Sequence, residues 1–420
     1  MRVLIVGAGI GGLTTALSLH EAGVEALVVD SANRLLPLGV GINLLPHAVR
    51  ELTELGFTDE LAETGIPTGE MVHFDRHGGR IWAEPRGRAL GYHWPQYSIH
   101  RGELQMMLLD AVRARLGQDA VRTGTLFEGF EQDGTQVRAR LLDRASGTAE
   151  TVTADALIGA DGLHSTVRAQ LYPDEPAPLW NGIRLWRGIT EADPILTGRT
   201  MVVMGSNATS KIVVYPISMR TERRGKALLN WAAEVRLADD RLDWDPDWNK
   251  AGRLEDVLPY FADWKYDWLD FPALMSEAAE ILEYPMVDRD PVDRWTFGRV
   301  TLLGDAAHPM YPIGSNGGSQ AILDARVLAH ELAASGDPAD GLLAYDKARR
   351  ETVNAIVRAC RDMPADHVLH TVSQRAPDGF DSIEDVLTPD ELNTISGAYR
   401  QTSFSDVEAL NSRPSYSAAS

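Results

Sequence analysis

The spacing of apolar residues changes twice within the first thirty positions. Residues 2–6 form a short apolar run, residues 8–22 carry helical spacing, and residues 25–30 form a second apolar run that ends on an acid. That order predicts a βαβ unit with parallel strands. A loop with Pro37, Gly39 and Gly41 follows, and then two helix-like segments at 46–55 and 58–64. Between residues 70 and 97 the pattern is strand-like and irregular, with Gly78-Gly79 predicting a hairpin turn. Leu104, Leu108 and Val112 fall on one face of a helix predicted over 101–116. Residues 126–142 read as a hairpin broken by Asp133-Gly134, and 151–159 as one further strand.

From residue 183 the alternation becomes regular. Strands predicted at 183–190, 200–205, 211–217 and 226–235 make an antiparallel sheet inserted into an α/β frame. The stretch 239–270 is rich in Trp and Asp, with 253–261 helical in its middle. Its Trp244, Trp248, Trp264 and Trp268 read as an aromatic core or lid, not as ligand contacts. A buried strand at 300–303 leads into Gly304-Asp305 and a long helix from Ser319, and helices continue to about 363. The remainder is polar and weakly periodic, with one helix expected near 389–400 and disorder expected from Ser412.

Composition narrows the possible functions. With 44% hydrophobic and 24% charged residues the chain can bury a large core, and global disorder is excluded. A formal net charge of -20 opposes nucleic acid and anionic membranes as partners. A small aromatic anion can still be held by a local cluster of arginines, because salt screens a distant negative field within about 10 Å. Cys360 is the only cysteine, so an intrachain disulfide and a thiolate metal cluster are both ruled out. The reducing cytoplasm is the expected setting. No window has the roughly 18 uncharged residues of a membrane span. The apolar opening stretch has Gly7, Gly9 and Gly12 where a secretory signal would have Leu and Ala.

Those glycines are the first chemical signal. Gly7-Ala8-Gly9-Ile10-Gly11-Gly12 follows a strand and opens a helix. Gly7 allows the tight turn, Gly9 a close backbone approach to a pyrophosphate, and Gly12 close packing of helix on strand. Asp30, at the end of the second strand, can accept hydrogen bonds from ribose hydroxyls. This fingerprint fits NAD and FAD equally.

Two later segments bear on that choice. Gly159-Ala160-Asp161-Gly162, followed by Ser165 and Arg168, resembles the second signature of the FAD-dependent aromatic monooxygenases of the para-hydroxybenzoate hydroxylase type. Gly304-Asp305-Ala306-Ala307-His308-Pro309, followed by Pro312, Gly314, Gly317, Gly318 and Asp324, resembles their third. All three signatures stand in the family's order, and the similarity runs to about residue 361. It is closest to the phenazine-biosynthesis monooxygenases acting on 5-methylphenazine-1-carboxylate, through segments 37–43, 95–105, 252–259 and 284–291.

The resemblance implies a Rossmann-like FAD-binding domain with an inserted antiparallel-sheet substrate domain and C-terminal helices. It divides the chain into FAD-binding parts at 1–72, 100–175 and 286–365, substrate-domain parts at 73–99 and 176–285, and a tail at 366–420. It assigns Asp305 to the ribityl hydroxyls, with Gly304 as its turn. Gly317, Gly318 and Ser319 face the flavin pyrimidine edge, Arg101 lies near the phosphates, and Asp161 is the acid associated with both nucleotides. Asp30 replaces the family's commoner glutamate. NADH or NADPH reacts transiently at the flavin, which explains the lack of a second glycine fingerprint. Dioxygen then reacts to form a C4a-hydroperoxide that hydroxylates an electron-rich ring. The partners implied are a small aromatic substrate and O2, in a monomer or homodimer.

Substrate contacts are expected from the inserted sheet. Arg184 and Trp186 alternate onto one strand face while Arg187 points the other way, and an arginine beside an aromatic ring could hold a carboxylate. The competing reading makes Trp186 core and Arg184 a surface charge. Tyr215, whose phenol can orient a substituent, is the stronger candidate. His308 and Pro312 stand close to Asp305 in sequence and complete the expected catalytic set, with His308 a proton relay or a packing residue. A flavin halogenase and a non-catalytic flavoprotein that sequesters an aromatic compound are the alternatives. The Trp-x-Trp-x-Ile-Pro segment expected of a tryptophan-type halogenase does not occur in the sequence.

Overall fold

The structure is a computed structural model that describes residues 1–237, 250–362, 364–394, 397 and 406–417. The first apolar runs build a six-stranded sheet. Its order is Thr296–Phe297, Val300–Leu302, Ala156–Gly159, Arg2–Val6, Glu25–Val29 and Val121–Arg122. The pairings within it are parallel except for that of Thr296–Phe297. Helices Ile10–Glu21 and Asn316–Ala334 join a common core with Val3, Ile5, Val28, Ile158 and Leu302. Burial on both faces is why these strands are continuous apolar runs and do not alternate.

The single strand expected over 151–159 is two strands in two sheets. Ala149–Ala154 pairs antiparallel with Val137–Asp143, whereas Ala156–Gly159 enters the parallel sheet. Asp155 marks the crossing: its carboxylate accepts from the Arg2 N–H at 2.7 Å and its carbonyl from Arg299 at 3.2 Å.

The second sheet has seven strands, ordered Ile281–Asp288, Leu179–Ala192, Ala227–Arg236, Ser210–Pro216, Thr200–Gly205, Glu70–Phe74 and Arg80–Pro85. It is antiparallel apart from the parallel pair Thr200–Gly205 and Glu70–Phe74, which attaches the early hairpin to the later strands. One face, with Trp186, Val202, Ile212, Val214 and Trp231, packs under Phe261, Trp264 and Phe271. Trp268 packs against this cluster too, while Trp244 and Trp248 lie outside the described residues. The opposite face carries Arg187, Tyr215, Asn230 and Tyr284, and it meets the start of strand Gly41–Leu44 at Gly41.

Two expectations about the C-terminal region are corrected. Residues 364–375 form a helix whose Val368, Leu369 and Val372 pack on Met71, Ile81 and Val203 of the second sheet. Lys211 bonds Asp366 at 2.9 Å beside them. Of the segment expected to be disordered from Ser412, Ser412 ends a short helix, Val407–Ser412, and residues 413–417 dock on the first domain. Arg413 pairs with buried Glu51, and Ser417 accepts from Arg326 at 2.7 Å. The helix expected near 389–400 is present at 389–394, and part of its range lies outside the described residues. Among the described residues no helix is long and apolar enough to cross a membrane.

Candidate active site

Three turns converge at the C-terminal edge of the parallel sheet. Val6 is in register with Gly159 and Gly159 with Leu302, so the segments after the three strands leave side by side. Gly7 follows the first strand with φ +105, and a Cβ there would stand 2.4 Å from the Ala160 oxygen. A Cβ on Gly12 would stand 2.0 Å from the Gly7 oxygen, which is the close helix–strand packing the motif requires. Gly9 differs: a Cβ there meets nothing within 4 Å, so the helix N-terminus looks onto open space. Backbone N–H groups in that position suit a phosphate.

Asp30 borders this opening. Its oxygens accept from the Ala8 N–H and the Ala32 N–H, each at 2.8 Å. Gln105, one turn into helix Arg101–Leu116, donates to the Ala8 carbonyl at 2.8 Å. Arg101 opens that helix, is exposed, and lies along Gly39. Gln105 was not among the residues expected here, although it closes the similar segment 95–105.

Asp161 is committed to its own turn. It accepts from Ser165 Oγ at 2.5 Å and from the Thr166 N–H at 2.8 Å, capping helix Thr166–Leu171. Burial pushes its carboxyl up, against those hydrogen bonds. Arg168 from the same signature donates to the carbonyls of Ala306 and Ala307 at 2.9 and 2.8 Å. The second signature therefore holds the third in place.

In the third signature Gly304 has φ +60 and Asp305 is exposed, with Oδ1 3.9 Å from a Cβ built on Gly317. The long helix begins at Asn316, not Ser319, and Ser315 is its N-cap, so the free N–H groups of its first turn belong to Ser315 through Gly318. Ser319 is buried, and its hydroxyl accepts from the Leu45 N–H at 3.0 Å. Gly318 packs toward Ile42, and Pro312 is exposed on the loop before the helix.

His308 departs from the catalytic expectation. Its Nε2 lies 2.5 Å from Asp324 Oδ2 with both side chains fully buried, and its ring leans on Trp295. The carboxylate of Asp324, supplied by the long helix, draws the imidazole into the core behind the loop.

On the second sheet, Tyr215 is buried and donates to the Gly41 carbonyl at 2.9 Å. Burial raises its phenol, with Arg187 opposing, so it stays protonated at neutral pH. Arg184 and Trp186 do share a strand face, but it is the face turned away from Gly41. Trp186 is 1% exposed under Gly252, and Arg184 pairs with Glu283 at 3.4 Å. Arg187, on the other face, donates to the Gly41 carbonyl and to Tyr284 Oη at 3.1 Å. The expected alternation of Arg184 and Trp186 against Arg187 is present, but one strand alone does not show which face meets the first domain. Pairing was the missing signal, because Asn230 stands opposite both Tyr215 and Ile189 and brings Tyr215 beside Arg187.

Asp30 and the open N-terminus at Gly9, Arg101 beside Gly39, and exposed Asp305 near Gly317 are an arrangement suited to an extended dinucleotide. Residues 1–360 match the family described as FAD binding domain. Phenazine 1,6-dicarboxylic acid hydroxylase of Lysobacter antibioticus is 52% identical over 362 residues, 86% of this chain and 89% of that protein. The 3-amino-4-hydroxybenzoate 2-monooxygenase of Streptomyces platensis is 33% identical over 86% of this chain and 87% of its own length. The crystal structure of Klebsiella pneumoniae HpxO complexed with FAD and uric acid aligns with a TM-score of 0.76 at 25% identity, covering 95% of this chain and 96% of that one.

Proposed function

The chain belongs to the FAD binding domain family, and from that membership we propose that it is an FAD-dependent monooxygenase which consumes NAD(P)H and O2 and hydroxylates an electron-rich aromatic carboxylate. A phenazine or an amino- or hydroxybenzoate is the substrate class, in keeping with relatives at 52% and 33% identity that act on such rings. One observation carries the reading. The Tyr215 hydroxyl reaches from the second sheet to the carbonyl of Gly41, in the strand whose Ile42 approaches Gly318, so the nucleotide end and the guest end of the site share one wall.

Gly9 offers the approach to the pyrophosphate, Arg101 the neighbouring positive charge, and Asp30 the ribose contact. Asp305 takes the ribityl hydroxyls, where an exposed carboxylate can accept two hydrogen bonds. The N–H groups at Gly317 and Gly318 face the pyrimidine edge, where the helix N-terminus favours negative charge. Bound FAD supplies the redox chemistry, taking electrons from the nicotinamide and activating dioxygen. This chain's part is to hold the guest ring and keep water away from it. Leu185, Met286, Tyr311 and Ile313 form an apolar cluster beside Tyr284 that suits the second task. Tyr215, whose proton is given to Gly41, offers its oxygen as an acceptor to a ring substituent. The cytoplasm, where NAD(P)H is kept reduced, is the proposed setting.

The test is NADH and NADPH oxidation by the FAD-loaded protein with and without aromatic carboxylates, with 18O2 as the oxygen source. Stimulated oxidation with label in the product is expected. Binding of the aromatic with neither stimulation nor label would instead make the chain a sequestering flavoprotein.

A further inference from the structure

Six arginines are buried among the described residues: Arg50, Arg86, Arg168, Arg299, Arg326 and Arg349. Each has a carboxylate within ion-pair distance. That is what electrostatics demands, since a guanidinium withdrawn from water without an anion is costly. Arg187 is half-buried, and its surroundings differ from theirs. It reaches from the second sheet to the Gly41 carbonyl, to Tyr284 Oη at 3.1 Å and to Asn230 Oδ1 at 3.4 Å, and none of these partners is charged. Its Nε is buried without a hydrogen-bond partner. Glu234 lies on the same sheet face but is matched to Lys211, 2.9 Å away, which also holds Asp366 at 2.9 Å. Arg187 therefore has one idle donor, a second held only by a long contact to Asn230, and no carboxylate within ion-pair distance among the described residues.

We propose that Arg187 is the specificity-determining cation of this site, pairing with the ring carboxylate of the substrate through its Nε and Nη2 donors. The inference rests on the proposed hydroxylase reading and deepens it by naming the substituent the site demands. A carboxylate matches the planar fork of a guanidinium bidentately, which an ammonium cannot reproduce. The fork also fixes the ring's angle, because Arg187 is anchored on the Gly41 carbonyl beside the proposed flavin ring. A neutral ring of the same shape leaves the charge unmatched.

The experiment is titration of the FAD-loaded protein, followed by flavin absorbance without turnover, using matched pairs: phenazine-1-carboxylate with phenazine-1-carboxamide, and 3-hydroxybenzoate with 3-hydroxybenzamide. In the wild-type protein the carboxylate of at least one pair should bind about 10- to 100-fold more tightly, as expected of a charge-assisted hydrogen-bonded pair. Arg187→Met should remove that preference by weakening the carboxylate and leaving the amide within about threefold, and Arg187→Lys should restore only part of it. Equal affinities within both pairs in the wild type, or equal losses for carboxylate and amide in Arg187→Met, overturn the proposal. Because Arg187 also holds Gly41, the wild-type comparison decides alone if the variants lose flavin. Turnover of aromatics with no carboxylate preference sinks this inference and spares the hydroxylase reading, while failure to bind any aromatic overturns both.

Discussion

His308 Nε2 lies 2.5 Å from Asp324 Oδ2, and on its other oxygen Asp324 accepts from Arg349 Nε at 2.8 Å. Three elements meet there: the turn after Gly304, the helix Asn316–Ala334 and the helix Pro338–Asp362. Arg349 also reaches Gln320 at 2.6 Å, so the two long helices are tied by the residues that hold His308. The cluster sets the position of Asp305 from behind.

Asp324→Asn should therefore destabilise the protein by about 3–5 kcal/mol, the range for breaking a buried ion pair. Burial pushes the Asp324 carboxyl up, but His308 and Arg349 outweigh it and hold it below the usual carboxylate range. A lowered folded value means that the stabilisation is present above the unfolded carboxyl value of about 3.9 and is lost as pH falls through the folded value. Urea unfolding at neutral pH and at pH values below 4 checks this. The gap between wild type and variant should be widest at neutral pH and shrink in acid.

Gly9 and Gly12 should part company on substitution. Gly9 has φ -73, which alanine adopts freely, and its Cβ would meet nothing, so Gly9→Ala should keep the apo-protein's melting temperature. The added methyl stands where the phosphates are proposed to approach, and FAD affinity should fall at least about tenfold, roughly 1.4 kcal/mol. Gly12→Ala drives a Cβ onto the Gly7 oxygen at 2.0 Å and should destabilise the apo fold itself. Melting curves and FAD titrations on both variants separate the two effects. Unchanged FAD affinity in Gly9→Ala would remove the pyrophosphate from that opening.

Much of this architecture was legible because its signals are local. The helix over 101–116 and the strand over 200–205 have the bounds read from periodicity. The three signatures converge because each follows a strand of one parallel sheet. What escaped the sequence is long-range. Asp155 divides one apparent strand between two sheets, a partition that depends on Arg2 and Arg299 far away in sequence. Alternation puts Arg184 and Arg187 on opposite faces without saying which one meets the other domain, and it is Arg187 that does. His308 lies near Asp305 in sequence but faces the core, since Asp324 and Arg349 approach it from two later helices.

Asp305→Ala should lower FAD affinity by about 10- to 100-fold, the worth of hydrogen bonds to a charged acceptor. The side chain is exposed, so the melting temperature of the apo-protein should move little. Equilibrium titration with FAD checks the first expectation and thermal unfolding without FAD the second. Retention of full affinity would take Asp305 out of the cofactor site.

The docked tail offers a prediction that polarity alone would not have suggested. Glu51 is fully buried in helix Pro46–Glu54 and meets Arg413 from the tail and, at 3.4 Å, Arg326 from the long helix. Burial raises its carboxyl, and Arg413 is the leading influence against that rise. Arg413→Ala should cost about 1–3 kcal/mol, because it leaves a buried acceptor short of a partner. With Arg413 gone the folded value climbs further above the unfolded one. A raised value makes stability fall as pH rises between the two, so the variant should lose more stability than wild type between pH 5 and pH 7. Urea unfolding at both pH values, with limited proteolysis of residues 406–417, measures it. Equal stability and equal cleavage in wild type and variant would mean that the tail does not hold the helix Pro46–Glu54 in solution.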